Sequence, residues 1–376
     1  MNKKEIAELR KLFTPDTTAI DFIATAFVKH TDDGIEITSV NKNRLLAMDE
    51  NEIFKYLEIA KKTLSGSLEK NLLNIEFPTS ECMEGGRQDK LYKLLSSEFK
   101  DNNMLENFIE DIARNYNTAE NLMIQLVHGN YDVIVKSKDK ASLEDSEEVY
   151  SYMICSVCPM LLEKAGICYD TDEDKFKPLE QKLIADKPIA GFLYPAFNDR
   201  STDLYQALFY AKKADEIHPE FIEGLTGGKT PVPADMQQKL FSDIVSKVTE
   251  NVDFDTTKDI HGEIREKIDT RHFNEEDTHI TKNDIKEIIS GAIKDIDDGV
   301  IDKVYDEVMA DYDDKSLALE NIVDTTKFNI GIPDIEIKVK PDKVQDIEQK
   351  IIEGRKCFVI PVNGNVEVNG VPVSDK

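Results

Sequence analysis

The residues of this chain that could do chemistry stand closest together between Asn198 and Asp203. The run Asn198-Asp-Arg-Ser-Thr-Asp203 sets two carboxylates, Asp199 and Asp203, around the guanidinium of Arg200. Carboxylates at that spacing can hold a divalent cation or divide into acid and base, while an arginine fork grips an anionic group. The same residues also make an ordinary polar turn closed by Arg–Asp pairs. The setting recommends the run as a site. Phe192-Leu-Tyr-Pro-Ala-Phe197 precedes it and Leu204-Tyr-Gln-Ala-Leu-Phe-Tyr210 follows. Both read as buried strands, so the insert is a charged loop on rigid elements, where sites concentrate. Asp199, Arg200 and Asp203 are therefore the candidate ligand-binding residues.

Other constellations fail at a position their chemistry requires. Gly224-Leu-Thr-Gly-Gly-Lys-Thr230 imitates a phosphate-binding loop. Glu223 stands where its first glycine belongs, a helical segment precedes it, and Pro231 keeps Thr230 out of helical geometry. Cys155 and Cys158, with Cys168 further on, look like half a zinc site without its second half. On a strand, residues three apart point to opposite faces. Asp170, Asp172 and Asp174 begin like a calcium loop, yet Lys175 and Gln181 replace its glycine and glutamate. His261, His272 and His279 fit no zincin spacing. No metal or cofactor is expected.

Charge narrows the partners. The 376 residues carry 47 Lys and Arg against 74 Asp and Glu, a net of −27. Residues 1–100 hold 15 basic and 17 acidic side chains, so nearly all the excess lies beyond them. A polyanion repels phosphate backbones, which argues against direct nucleic-acid binding; the acidity serves solubility, or else fits a protein partner with a basic face or a cation ligand. Around Asp297-Asp-Gly299, a pair of helices resembles a helix-turn-helix, but Asp302, Asp306, Glu307 and Asp311 make its second helix too acidic for DNA. The longest apolar stretch, Tyr152–Leu162, is too short for a bilayer and contains Pro159. No secretory signal is read at Met1-Asn-Lys-Lys, and five scattered cysteines make no disulfide framework, so a reducing cytoplasm is expected.

The elements that must position these residues follow from periodicity. Phe22–Val28 and Ile35–Val40 read as a hairpin about Thr31-Asp-Asp-Gly34, and Leu122–Val127 and Tyr131–Val135 as another about Gly129-Asn130. Helical stripes run through Ile6, Leu9 and Phe13, through Ile53, Leu57 and Ala60, and through Leu105, Ile109 and Ile112. The expected fold class is α+β: a mainly antiparallel sheet with flanking helices on one face, then a helical segment and a small β-rich C-terminal part. Boundaries are expected near the Gly- and Pro-rich 226–233, giving 1–225, 226–325 and 326–376. In the last part, Asn363-Gly364 and Asn369-Gly370 read as two-residue turns.

Several longer phrases carry a resemblance. Lys62–Leu72, Ser146–Pro159, Gly191–Asp203 and Val368-Asn-Gly-Val371 are similar to those of an uncharacterised bacterial protein family, domain of unknown function 4317. The resemblance spans nearly the whole chain and implies no activity, cofactor or catalytic residue. The expectation is an acidic cytoplasmic protein with an interaction or regulatory role. The alternative is a metal-assisted hydrolase or phosphate-ligand enzyme built on Asp199, Arg200 and Asp203.

Overall fold

The structure is a computed structural model. It describes residues 1–376 except 17–18, 33, 117, 134–147, 250–251, 275, 294–295, 313, 363, 369 and 374–376. The chain divides into two compact units, Met1–Pro233 and Ala234–Lys376.

The first unit contains helices α1 (Lys3–Arg10), α2 (Glu50–Thr63), α3 (Arg87–Ser96), α4 (Asn102–Asn115) and α5 (Pro219–Thr226). Its strands are β1 (Phe22–Thr31), β2 (Gly34–Arg44), β3 (Leu72–Glu76), β4 (Leu122–Val133), β5 (Glu148–Leu162), β6 (Ile167–Asp170), β7 (Lys175–Pro178), β8 (Leu183–Ala185), β9 (Ala190–Tyr194), β10 (Ala196–Asn198), β11 (Ser201–Asp203) and β12 (Gln206–Ala211). The order β2-β1-β4-β5-β9-β12-β3 forms one antiparallel sheet, with β8 pairing the far end of β5. The expected α+β class and antiparallel sheet are observed. The two aromatic runs pair as read, Leu208 opposite Leu193.

Two expectations are corrected here. Helices cover both faces of the sheet: α1 and α2 pack on one, α3, α4 and α5 on the other. The reason is visible in β5, where Tyr152–Pro159 is buried without interruption instead of alternating. A strand wet on one face alternates; one covered on both faces reads as continuous apolar sequence. The second correction is at Gly129-Asn130, which is no turn. β4 runs straight through it, Gly129 opposite Tyr152 and Asn130 opposite Ser151. A Cβ at Gly129 would stand 2.0 Å from the Ala19 carbonyl oxygen and 2.7 Å from the Tyr152 ring, so close approach explains this glycine. Polar side chains under α2 meet partners, although the Gln125 Oε1 is buried without one. Thr63 and Ser156 hydroxyls meet at 2.7 Å, and Gln125 Nε2 donates to the Tyr56 carbonyl at 2.9 Å.

The second unit holds α6 (Ala234–Val248), α7 (Phe254–Asn274), α8 (Lys282–Ala292), α9 (Asp298–Val308) and the single turn α10 (Leu319–Ile322), with β13 (His279–Ile280) pairing β14 (Leu317–Ala318). Thr281 and Asp284 form the capping box that starts α8. The acidic face of α9 is matched by lysines of α8: Asp302 accepts from Lys286 at 2.8 Å and Asp306 from Lys282 at 2.8 Å. Three hairpins follow, β15 (Phe328–Ile332) with β16 (Ile335–Val339), β17 (Glu348–Ile352) with β18 (Arg355–Val359), and β19 (Val366–Val368) with β20 (Val371–Val373). The strand read as Cys357–Val362 was expected to turn at Asn363-Gly364 onto Val366. Instead it turns back at Glu353-Gly354, both at positive φ, the geometry of a two-residue hairpin. Asn363 and Asn369 lie outside the described residues, while Val368 and Val371 pair across the second turn.

Candidate functional site

The run that carries Asp199, Arg200 and Asp203 leaves the sheet after Tyr194 and forms a hairpin of its own. Ala196 pairs with Asp203 and Asn198 with Ser201, leaving Asp199 and Arg200 as the two turn residues, at φ 50° and 59°. The left-handed region costs a residue with a side chain roughly 1–2 kcal/mol, which asparagine and aspartate tolerate better than arginine. Contacts to α1 offset that strain. The Asp199 amide donates to Glu5 Oε1 at 2.8 Å, and Glu5 also closes the capping box of α1 through the Asn2 amide. Arg200 reaches Glu8 with Nη2 at 3.0 Å and Nε at 3.3 Å, and Tyr131 donates to the same carboxylate at 2.7 Å. The bond to Glu8 raises the Arg200 pKa above its ordinary value.

Asp203 is occupied within the hairpin. Its Oδ1 accepts from the Tyr205 amide at 3.0 Å and its Oδ2 from Asn198 Nδ2 at 2.7 Å. Glu148 of β5 accepts from the Thr202 amide and the Ser201 hydroxyl, both at 3.0 Å, which holds its carboxyl below the usual range. The structure thus brings the three expected residues into one hairpin and clasps it by α1 and β5. Glu5, Glu8, Tyr131 and Glu148 complete the cluster. They are distant in sequence and carry no local motif, so only the fold assembles them. Among the described residues no group of three or more His, Cys, Asp or Glu is placed to hold a metal ion.

The cysteine pair falls on opposite faces of β5, Cys155 in the core beneath α3, α4 and α5. Burial pushes the Cys158 thiol up to about 12 and the Cys155 thiol well above its ordinary value. Both stay protonated and packed. The five cysteines are free. Asp170 caps a tight turn between β6 and β7, accepting from the Asp172 and Glu173 amides, and pairs with Lys177. Gly227 ends α5 with φ 65°, so a helix precedes the lookalike phosphate loop.

Three features escaped sequence reasoning. The first is an apolar arm on the first unit. β5 continues past the sheet as Met160–Leu162, paired only with β8, and β6 with β7 form the segment between them. Leu161, Leu162, Ile167, Tyr169, Phe176, Leu183 and Ile184 are exposed there, Ile167 at 77% and Phe176 at 74%. The second is His128, wholly buried on β4 between Phe22 and Phe99, with neither ring nitrogen hydrogen-bonded. Asp21 stands 3.2 Å from its Nδ1, close enough to attract but without hydrogen-bond alignment. The third is a groove of about 410 Å³ in the second unit, along α7. Its signal was present in the sequence as Lys258, His261 and Arg265 on one helical face.

The fold and the clasped hairpin define an antiparallel-sheet protein of α+β class with helices on both faces. The chain belongs to the family described as Domain of unknown function (DUF4317), whose family model matches residues 1–371. No curated protein matches the chain. No helix among the described residues is long and apolar enough to cross a membrane.

Proposed function

We propose that the protein is a cytoplasmic interaction protein whose docking element is the arm from Met160 to Ala185. The exposed apolar residues of that arm are the observation that carries the reading. A two-stranded ribbon gains little stability by itself in water, and a large exposed apolar patch marks an interaction surface. Ile167, Tyr169, Phe176 and Pro178 share one face of the β6–β7 ribbon, with Tyr169 and Phe176 in edge contact at 5.1 Å. The adjoining turn holds Asp170, Asp172, Glu173 and Asp174. A partner that matches this surface presents apolar side chains rimmed by basic ones, which also suits the net charge of −27. Five free cysteines support a reducing compartment.

The test uses the full chain and a labelled peptide of alternating valine and lysine as probe. Binding by fluorescence anisotropy should weaken at high salt and drop about tenfold or more in the double variant Ile167→Asp, Phe176→Asp. Equal binding by the variant overturns the docking element. A wild-type dimer that the double variant converts to monomer would make the occupant a second copy and overturn the basic partner.

A second reading is favoured by the convergence of Asp199, Arg200 and Asp203 on one hairpin. It is an enzyme acting on a phosphate ligand, or a metal-assisted hydrolase, in which Arg200 exchanges Glu8 for the substrate anion. Solvent reaches both partners, Arg200 at 36% and Glu8 at 28% of the side chain, so breaking this part-buried pair costs somewhat more than the about 0.2–1 kcal/mol of a fully exposed one, a cost the bound anion offsets. Replacing Arg200 by alanine then removes the thermal-shift response to inorganic phosphate while leaving the melting temperature nearly unchanged. A large fall in melting temperature with no phosphate response in the wild type defeats this reading.

A further inference from the structure

We propose that the groove over Gly262, on α7 of the second unit, binds a zwitterionic small molecule of free amino-acid or short-peptide size. The groove lies between one face of α7 and the turn Pro341–Asp346, and encloses about 410 Å³, within the range of small-molecule sites. Its floor is a glycine in the interior of a 21-residue helix. Glycine is the poorest helix former after proline. A Cβ built on Gly262 meets nothing within 4 Å, so packing inside the protein does not demand glycine there. A ligand lying against the helix backbone does.

The lining presents charges of both signs that do not close on each other. Arg265, Glu266 and Asp269 of α7 and Asp342 of the turn line the groove, and their side chains make no hydrogen bond or ion pair to any described residue. Lys258, by contrast, is fixed by Asp255 at 2.9 Å and the Ile347 carbonyl at 3.3 Å. His261 is set edge-on against Phe328 at 5.1 Å and forms a wall. A guanidinium with no partner takes a carboxylate through its fork, and the neighbouring carboxylates take an ammonium. A ligand carrying both groups satisfies both kinds of charge. It also has no net charge, so the field of a protein at −27 does not repel it as it repels a simple anion.

The experiment titrates the full chain with glycylglycine, following amide signals of α7 by NMR, beside three controls: N-acetylglycine amide, inorganic phosphate and magnesium. Glycylglycine should shift the signals saturably and the uncharged control should not. Arg265→Gln should weaken glycylglycine by about tenfold or more, the scale of one charge-assisted bond. Gly262→Leu should abolish binding while the unliganded protein melts no lower than the wild type, because its Cβ meets nothing within 4 Å, the rest of the side chain occupies the groove, and leucine improves helix propensity. No saturable shift with glycylglycine overturns the proposal. So does phosphate or magnesium binding as well as the dipeptide, unchanged binding in Gly262→Leu, or a lower melting temperature in that variant. None of these outcomes touches the arm.

Discussion

His128 is a wholly buried ring that Asp21 approaches at 3.2 Å without hydrogen-bond alignment. The ring is wholly buried, both nitrogens lack hydrogen bonds, and the neighbours are Phe22 and Phe99. Burial lowers its pKa from the ordinary 6.5, with Asp21 and Glu98 opposing that shift and Lys100 adding to it. The sign follows from linkage. Below 6.5 the unfolded imidazole binds a proton that the folded one resists, so stability falls as pH drops from 6.5 toward the lowered folded value. His218 and His261, also lowered by burial, add to the same trend. His128→Phe should stay within about 1.5 kcal/mol of the wild type at neutral pH, the range for swaps of similar volume. Between neutral and mildly acid pH its melting temperature should fall less steeply than that of the wild type. An identical slope in calorimetric scans would show that His128 does not titrate against folding. The chain held no hint of this residue, because a histidine is read as surface by default and its burial depends on strands distant in sequence.

At the scale of elements, legibility followed the range of the interaction. Periodicity placed α1, α2 and α4 because an apolar stripe is a local pattern. Gly129-Asn130 misled because a turn dipeptide and a close-packed strand glycine use the same letter; only Ala19 and Tyr152, brought in by folding, tell them apart. β18 pairs back onto β17 because Glu353-Gly354 supplies a good turn earlier in the chain. The candidate hairpin was half legible. Asp199, Arg200 and Asp203 were visible as a charged insert, but the partners that fix them come from α1, β4 and β5. Exposed residues of the arm were invisible as such, since Ile167 and Phe176 read like any strand interior until nothing is found to cover them.

At the scale of the whole molecule, the first unit is complete in its packing. Its sheet and both helical layers draw on residues 1–233, through two apolar clusters of that range. A fragment of residues 1–233 should therefore fold alone, with a cooperative thermal transition and the β-rich circular dichroism of the sheet. A non-cooperative melt would mean that the second unit supplies stability the first lacks. The order of strands has a further consequence, and it concerns time. β3 sits at the sheet edge and pairs only with β12, where Glu76 meets Gln206, a separation of 130 residues. At ordinary rates of synthesis, roughly ten seconds pass between the emergence of the two strands. For that interval Leu72, Leu73 and Ile75, buried in the finished sheet, have no edge to join. The nascent chain thus exposes a short apolar strand at its most vulnerable stage, and its folding on the ribosome is gated by the arrival of Gln206–Ala211.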